Sequence, residues 1–311
     1  MKIIYFGSPD YSLIVFKRLL ESSHDIVAVV TQDAKRGRRN KQEKTPVGLF
    51  SELNSIDTFY PSDLNDEDFH RKLYEYEPDL IIVYSYGKIL PKKILDIPKL
   101  DSVNIHCSIL PRWRGASPIQ RAIQNDDRIT GVSFFSMQAE LDTGEILYSH
   151  TIDLDDFHNT KSLQVELSNI AGNVIIDVIK NLSSNSKIVT QKESEATYAK
   201  KITKDEAKIS WGDPCREIFC KVRAFIEWPV AEAKILDEII KIYDIDYEIC
   251  EHNSNVGEII GLSANNLSIR ASDGVIKIHK LQLPGGKPIT ANDLNNSNSA
   301  FSKNIKRNSK K

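Results

Sequence analysis

Lys2-Ile3-Ile4-Tyr5-Phe6-Gly7-Ser8-Pro9-Asp10 begins the chain with a short, partly β-branched apolar run that stops at a glycine turn. This is the pattern of a buried strand. It recurs at residues 26–30, 80–84 and 103–105, again bounded by polar or turn residues. Between these runs, residues 12–21, 45–53 and 66–76 carry the spacing of amphipathic helices. The second opens on Thr45-Pro46, a hydroxyl at the N-cap followed by proline at the first helical position. Alternating strands and helices predict an α/β fold with a mostly parallel, Rossmann-like sheet. Its active site is expected at the carboxyl ends of the strands. Gly7 has no second or third glycine after it and Pro9 intrudes, which excludes a nicotinamide- or flavin-type fingerprint. A Walker-type Gly-Lys-Ser/Thr is also missing, which argues against ATP use.

Further along, residues 132–137 and 145–153 read as strands on either side of a turn at Asp142-Thr143-Gly144, and residues 162–182 as one long helix. Residues 1–182 are thus expected to form a first domain. Residues 183–195 are rich in Ser, Asn and Lys, and residues 183–206 are expected to be a linker. A second domain over residues 207–311 follows a different pattern. A helix at 214–225 precedes short strands near 230–236, 239–247, 257–262, 267–270 and 275–281. Five short strands with tight connections suit a small OB-like β-barrel. No internal repeat is visible.

The 311 residues carry a net charge of −2, which hides local asymmetry. Lys35, Arg36, Arg38, Arg39, Lys41 and Lys44 crowd one stretch against a single acid, Glu43. The end holds Lys303, Lys306, Arg307, Lys310 and Lys311 with no acid from Phe301 onward. Each run is either a solvated surface or a nucleic-acid contact. Cys107, Cys215, Cys220 and Cys250 show neither Cys-x-x-Cys nor zinc-type spacing, so no metal and no disulfide framework is expected. Apolar runs fall short of the ~20 residues that span a bilayer, and the first strand leaves no space for a leader peptide. A cytoplasmic protein without membrane association is the expectation.

Three features carry chemistry. Asn104 and His106 stand two apart at the end of a strand, so they share a face, while Ile105 and Cys107 point the other way. Asp142 sits in the Leu141-Asp142-Thr143-Gly144 turn. The loop Ser108-Ile109-Leu110-Pro111-Arg112-Trp113-Arg114-Gly115 is dense in cationic and backbone-constraining residues. Acyl transfer to an amine needs a route for the amine proton, donors for an oxyanion and a proton for the leaving group. An Asp–His pair with an amide supplies these, and also suits other acyl or proton transfers. Each piece has a plain structural reading as well. A histidine can end a strand without reacting, and Asp-Thr-Gly is usually a turn. An aspartic protease needs two such aspartates, and Cys107 beside His106 faces the wrong way for a nucleophile.

The run Asn104-Ile105-His106-Cys107-Ser108-Ile109-Leu110-Pro111-Arg112-Trp113-Arg114-Gly115-Ala116-Ser117-Pro118-Ile119-Gln120-Arg121 resembles the signature of the methionyl-tRNA formyltransferase family. Leu141-Asp142-Thr143-Gly144 resembles its second signature. Residues 6–10, 84–91, 222–225 with Trp228-Pro229, and 281–297 are also similar to family segments. The resemblance implies a catalytic trio of Asn104, His106 and Asp142, and a folate site lined by Ser108, Ile109, Leu110 and Pro111. It implies 10-formyltetrahydrofolate as donor and initiator methionyl-tRNA as acceptor, with a monomer expected. Residues 32–44 resemble the family's basic loop toward the tRNA acceptor end, although its Pro-Asp and Pro-Ala-Gly elements are missing. Arg38, Arg39 and Lys41 are the candidate tRNA contacts, and the C-terminal barrel with its basic tail would hold the tRNA body. Two alternatives stay open: another folate-dependent N-formyltransferase with a sugar-nucleotide acceptor, and a catalytically idle tRNA-binding protein of the same fold.

Overall fold

Lys2–Gly7 (β1), Ser12–Leu20 (α1), Asp25–Val30 (β2), Pro46–Leu53 (α2), Thr58–Phe59 (β3), Glu67–Glu75 (α3) and Leu80–Tyr84 (β4) follow one another in the expected alternation. The structure is a computed structural model and describes residues 1–32, 44–182 and 188–308. Next come Lys92–Leu95 (α4), Asp101–His106 (β5), Arg114–Gly115 (β6), Pro118–Gln124 (α5), Ile129–Ser136 (β7), Ile146–Asp153 (β8) and Thr160–Leu182 (α6). Seven strands form one sheet in the order β3-β2-β1-β4-β5-β7-β8. The first five are mutually parallel, and β7 and β8 are antiparallel.

Local chemistry explains the helix starts. Thr45 caps α2 by accepting from the Gly48 amide, and Asp66 caps α3 by accepting from the Asp68 and Phe69 amides. Every residue of β4 is buried, as expected of a parallel strand covered on both faces. On one face Ile4, Phe6, Ala28, Val30, Ile81 and Val83 pack with Phe69, Leu73, Leu90 and Ile94. Their two-residue spacing is the strand period. Parallel pairing brings the carboxyl ends of β1, β2, β4 and β5 to one edge of the sheet, where His106 ends β5.

The remaining elements are Tyr198–Ala199 (β9), Cys215–Ala224 (α7), Glu232–Ile235 (β10), Glu238–Ile249 (β11), Ile259–Leu262 (β12), Leu267–Arg270 (β13), Gly274–Gln282 (β14), Pro288–Thr290 (β15), Ala291–Asn296 (α8) and Ala300–Asn308 (α9). Strands β10 to β15 build an antiparallel half-barrel sheet in the order β10-β11-β14-β13-β12, with β15 also on β14. Its core joins Ile218 and Val222 of α7 to Ile240, Ile242, Leu267, Ile269, Ile276 and Ile278.

Compactness divides the chain into two units that do not follow sequence order. One holds Met1–Pro118, Ile129–Asp153 and Leu163–Lys200; the other holds Ile119–Arg128, Leu154–Ser162 and the chain from Lys201 onward. Ionic contacts account for the second grouping. Arg216 on α7 donates to Asp126 (2.9 Å) and Asp156 (2.8 Å), and Arg223 donates to the His158 carbonyl (2.7 Å). Arg216 holds both carboxyls below the usual aspartate range.

Two stretches read from composition alone, as a linker and as a charged run, carry order. Within 183–206, the interval expected to be a linker, Val189 bridges to Ile146 and β9 pairs in parallel with β6. In the basic tail, Phe301, Ser302 and Ile305 of α9 are buried, leaving Lys303 and Arg307 exposed.

Candidate active site

Asn104 and His106 project from the same face of β5, beside Phe135 and Ser133 of β7. The imidazole is almost fully buried. Its Nε2 lies 2.8 Å from the Trp113 carbonyl, which can only accept, so Nε2 carries the hydrogen. Its Nδ1 faces Asp142 Oδ2 at 3.6 Å. The Phe135 ring meets His106 edge to face. Asn104 is half-buried, and its amide makes no side-chain hydrogen bond among the described residues, which leaves it open to a ligand.

Asp142 reaches this place from a turn. Its φ is 54°, left-handed for a residue with a side chain. Oδ2 accepts from the Gly115 amide at 2.7 Å, while Oδ1 has no partner among the described residues. Gly144 allows the turn to sit against β7, since a Cβ there would lie 1.5 Å from the Ser136 carbonyl oxygen. Gly115 has a φ of 119°, and a Cβ on it would approach the Ala199 oxygen to 2.8 Å.

The loop after β5 is tied down at each step. Ser133 Oγ donates to the Ser108 carbonyl (2.8 Å) and accepts from the Leu110 amide (3.1 Å). Ser108 Oγ donates to the Arg112 carbonyl (2.6 Å). Of residues 108–111, Ser108 and Leu110 are buried, which leaves Ile109 and Pro111, both half-buried, as the side chains this stretch can offer a ligand. Trp113 and Arg114 donate backbone amides to Thr197 Oγ1 and to the Thr197 carbonyl, both at 2.9 Å. The Arg114 side chain, 1% exposed, donates to Gln191 (3.0 Å) and Glu193 (2.8 Å).

The Formyl transferase family model matches residues 1–179, and the model of its C-terminal domain matches residues 201–299. A methionyl-tRNA formyltransferase of Pseudomonas fluorescens (strain SBW25) is 38% identical over 299 residues, 96% of this chain and 94% of its own. One from Buchnera aphidicola subsp. Acyrthosiphon pisum (strain Tuc7) is 36% identical over 297 residues, 94% of this chain and 95% of its own. The chain belongs to the methionyl-tRNA formyltransferase family. The crystal structure of HypX from Aquifex aeolicus in complex with tetrahydrofolic acid shares the fold at a TM-score of 0.66 and 19% identity. That match covers 95% of this chain but 47% of HypX, so this chain spans about half the length of that protein.

Of the residues singled out in the sequence of this formyltransferase, the fold brings His106 and Asp142 together and sets Asn104 beside them on the strand. Arg38, Arg39 and Lys41 lie outside the described residues. The flanks of that interval are anchored: Gln32 donates to the Tyr86 carbonyl (2.6 Å), and Thr31 and Thr45 share a 2.6 Å hydroxyl bond. Sequence reading missed Ser133, Thr197 and Gln191. Ser133 had one available signal, a serine inside the apolar run of a core strand. Gln191 had none.

Proposed function

We propose that the protein transfers the formyl group of 10-formyltetrahydrofolate to the α-amino group of methionine on initiator methionyl-tRNA, for translation initiation. Its setting is the cytoplasm and its working form a monomer. The observation that carries this reading is the Asp142–His106 pair beside an unengaged Asn104 amide, in a chain whose relatives of that name match nearly end to end.

In this reading the amine gives up a proton to the pair as it attacks the formyl carbon. Asp142 Oδ1 is the unengaged carboxylate oxygen, and His106 Nδ1 is the ring nitrogen without a hydrogen. Nδ1 faces the carboxylate at 3.6 Å, so the two groups act on one proton. Asn104 donates to the formyl oxygen as it gains charge. The C–N bond to the folate then breaks, and the proton taken from the amine is delivered to the leaving nitrogen. Ile109 and Pro111 line the folate side. Arg38, Arg39 and Lys41 neutralise phosphates at the tRNA acceptor end, with the C-terminal half-barrel holding the tRNA body.

The test is formylation of methionyl-tRNA by the purified protein with the folate donor. Failure to form formylmethionyl-tRNA above background overturns the reading. Formylation of an amino-sugar nucleotide in its place establishes the alternative acceptor. For the loop, Arg38→Ala with Arg39→Ala is expected to raise KM for methionyl-tRNA with little change for folate. It should also flatten the salt dependence of tRNA binding by about one unit of slope for each phosphate no longer neutralised. Unchanged tRNA kinetics and slope would show the loop to be a solvated surface.

A further inference from the structure

Gln191 lies in the interval between the two family-matched regions, in a stretch whose sequence reads as linker. Its carboxamide is fully engaged with active-site backbone and side chain. Nε2 donates to the Asp142 carbonyl at 2.9 Å and to the Gly144 carbonyl at 2.7 Å. Oε1 accepts from Arg114 Nε at 3.0 Å. The next residue after Arg114, Gly115, donates its amide to Asp142 Oδ2. A closed ring results: Asp142 carbonyl, Gln191, Arg114, Gly115, Asp142 carboxylate. We infer that Gln191 is a positioning residue, which fixes the Asp142 carboxylate against His106 by closing this ring.

Three physical points support the inference. First, the turn cannot hold itself. Asp142 is in the left-handed region, which aspartate tolerates better than most residues but which its surroundings must still stabilise. Carbonyls on both sides of Thr143 tied to one amide group fix the turn's orientation, and with it the direction of the Asp142 side chain. Second, the chemistry of the link selects glutamine. The site demands two donated hydrogens toward carbonyls and one acceptor toward a guanidinium, which a primary amide supplies and a carboxylate or hydrocarbon does not. Third, Gln191 is itself anchored. The chain on one side pairs through Val189 with Ile146, and on the other through Tyr198 and Ala199 with Arg114 and Gly115. The 3.6 Å between Asp142 and His106 is therefore set partly from a segment that bonds the Asp142 backbone but neither reacting side chain.

This inference rests on the formyl-transfer reading, and the experiment separates the two. Gln191→Leu removes every bond of the ring at this position, and Gln191→Glu keeps the acceptor for Arg114 while losing both donors. Both variants are expected to lower kcat by about 10–10²-fold, the scale for slight misplacement of a reacting group. KM for folate and for methionyl-tRNA should stay within about threefold, since the Gln191 carboxamide is engaged wholly by Asp142, Gly144 and Arg114 and has no donor or acceptor left for a substrate. In parallel, hydrogen exchange of the Gly115 amide, read by NMR on the full chain, is expected to accelerate in both variants while β1 amides keep their protection. Wild-type kcat in either variant overturns the inference, as does unchanged Gly115 exchange. Loss of β1 protection alongside it would show a merely structural role and overturn the inference too. If the unmutated protein formylates nothing, the functional reading fails, while the Gly115 exchange result still decides whether the ring holds the turn.

Discussion

Asn104 and His106 stand on a strand, whereas Asp142 stands on a turn, and the two are held in different ways. β5 lies between β4 and β7, so the ladder on both sides fixes its backbone, and buried Val103 and Ile105 fix its register. Nothing regular supports Asp142. Its turn is held by the Gln191 carboxamide, the Gly115 amide and the absence of a side chain at Gly144. A strand residue is placed by the fold at large, and a turn residue by a few bonds that can be removed singly. Substitutions that leave chemistry alone should therefore be tolerated near Asn104 and His106 and be costly around Asp142.

The largest effects should come from the three residues proposed to react. His106→Ala, Asn104→Ala and Asp142→Asn are each expected to lower kcat by about 10²–10⁴-fold with substrate KM values little changed. Steady-state formylation kinetics measure this, and turnover within a few-fold of the unmutated protein would remove that residue from the chemistry. Gly144→Ala comes next. Its Cβ would have to displace the Ser136 backbone, so a loss of about 1–3 kcal/mol in folding stability is expected. A kcat loss beyond the unfolded fraction should accompany it, because Asp142 moves with the turn. Denaturant unfolding and kcat measured on the same sample decide it; full activity per folded molecule would show the turn to be tolerant. The smallest effect should come from Ile105→Val, between the two proposed catalytic residues on the strand. Deleting one buried methylene is expected to cost about 0.5–1.5 kcal/mol of stability and leave kcat within about twofold. A tenfold fall in kcat would contradict the idea that the strand places its residues without local help.

The same contrast explains what was legible in the sequence. Strands β4 and β13 fall on the residues that their pattern marked, and Thr45 and Asp66 cap the helices they precede, because burial period and capping are local properties. The strand spacing of Asn104 and His106 was likewise readable. Two-residue strands such as β6 and β9 were not, since each exists only through its partner more than 80 residues away. Arg216 reaches Asp126 across 90 residues for the same reason. Gln191 sits among polar residues whose composition says linker, and its role exists only where three segments meet. In the tail, Phe301 and Ile305 have the four-residue spacing of a buried helix face, but the surrounding lysines marked it only as a charged run.

Helix α9 has a further consequence for how the protein behaves in company. It packs on β12, the last strand in the order of the half-barrel sheet. A strand in that position offers unpaired amides and carbonyls to any passing chain, the usual starting point for sheet-to-sheet association. Phe301 and Ile305 turn into the half-barrel core while Lys303 and Arg307 stay exposed, so α9 lies beside β12 with cations toward solvent. Like charge along that helix is expected to disfavour sheet-to-sheet association of the half-barrel.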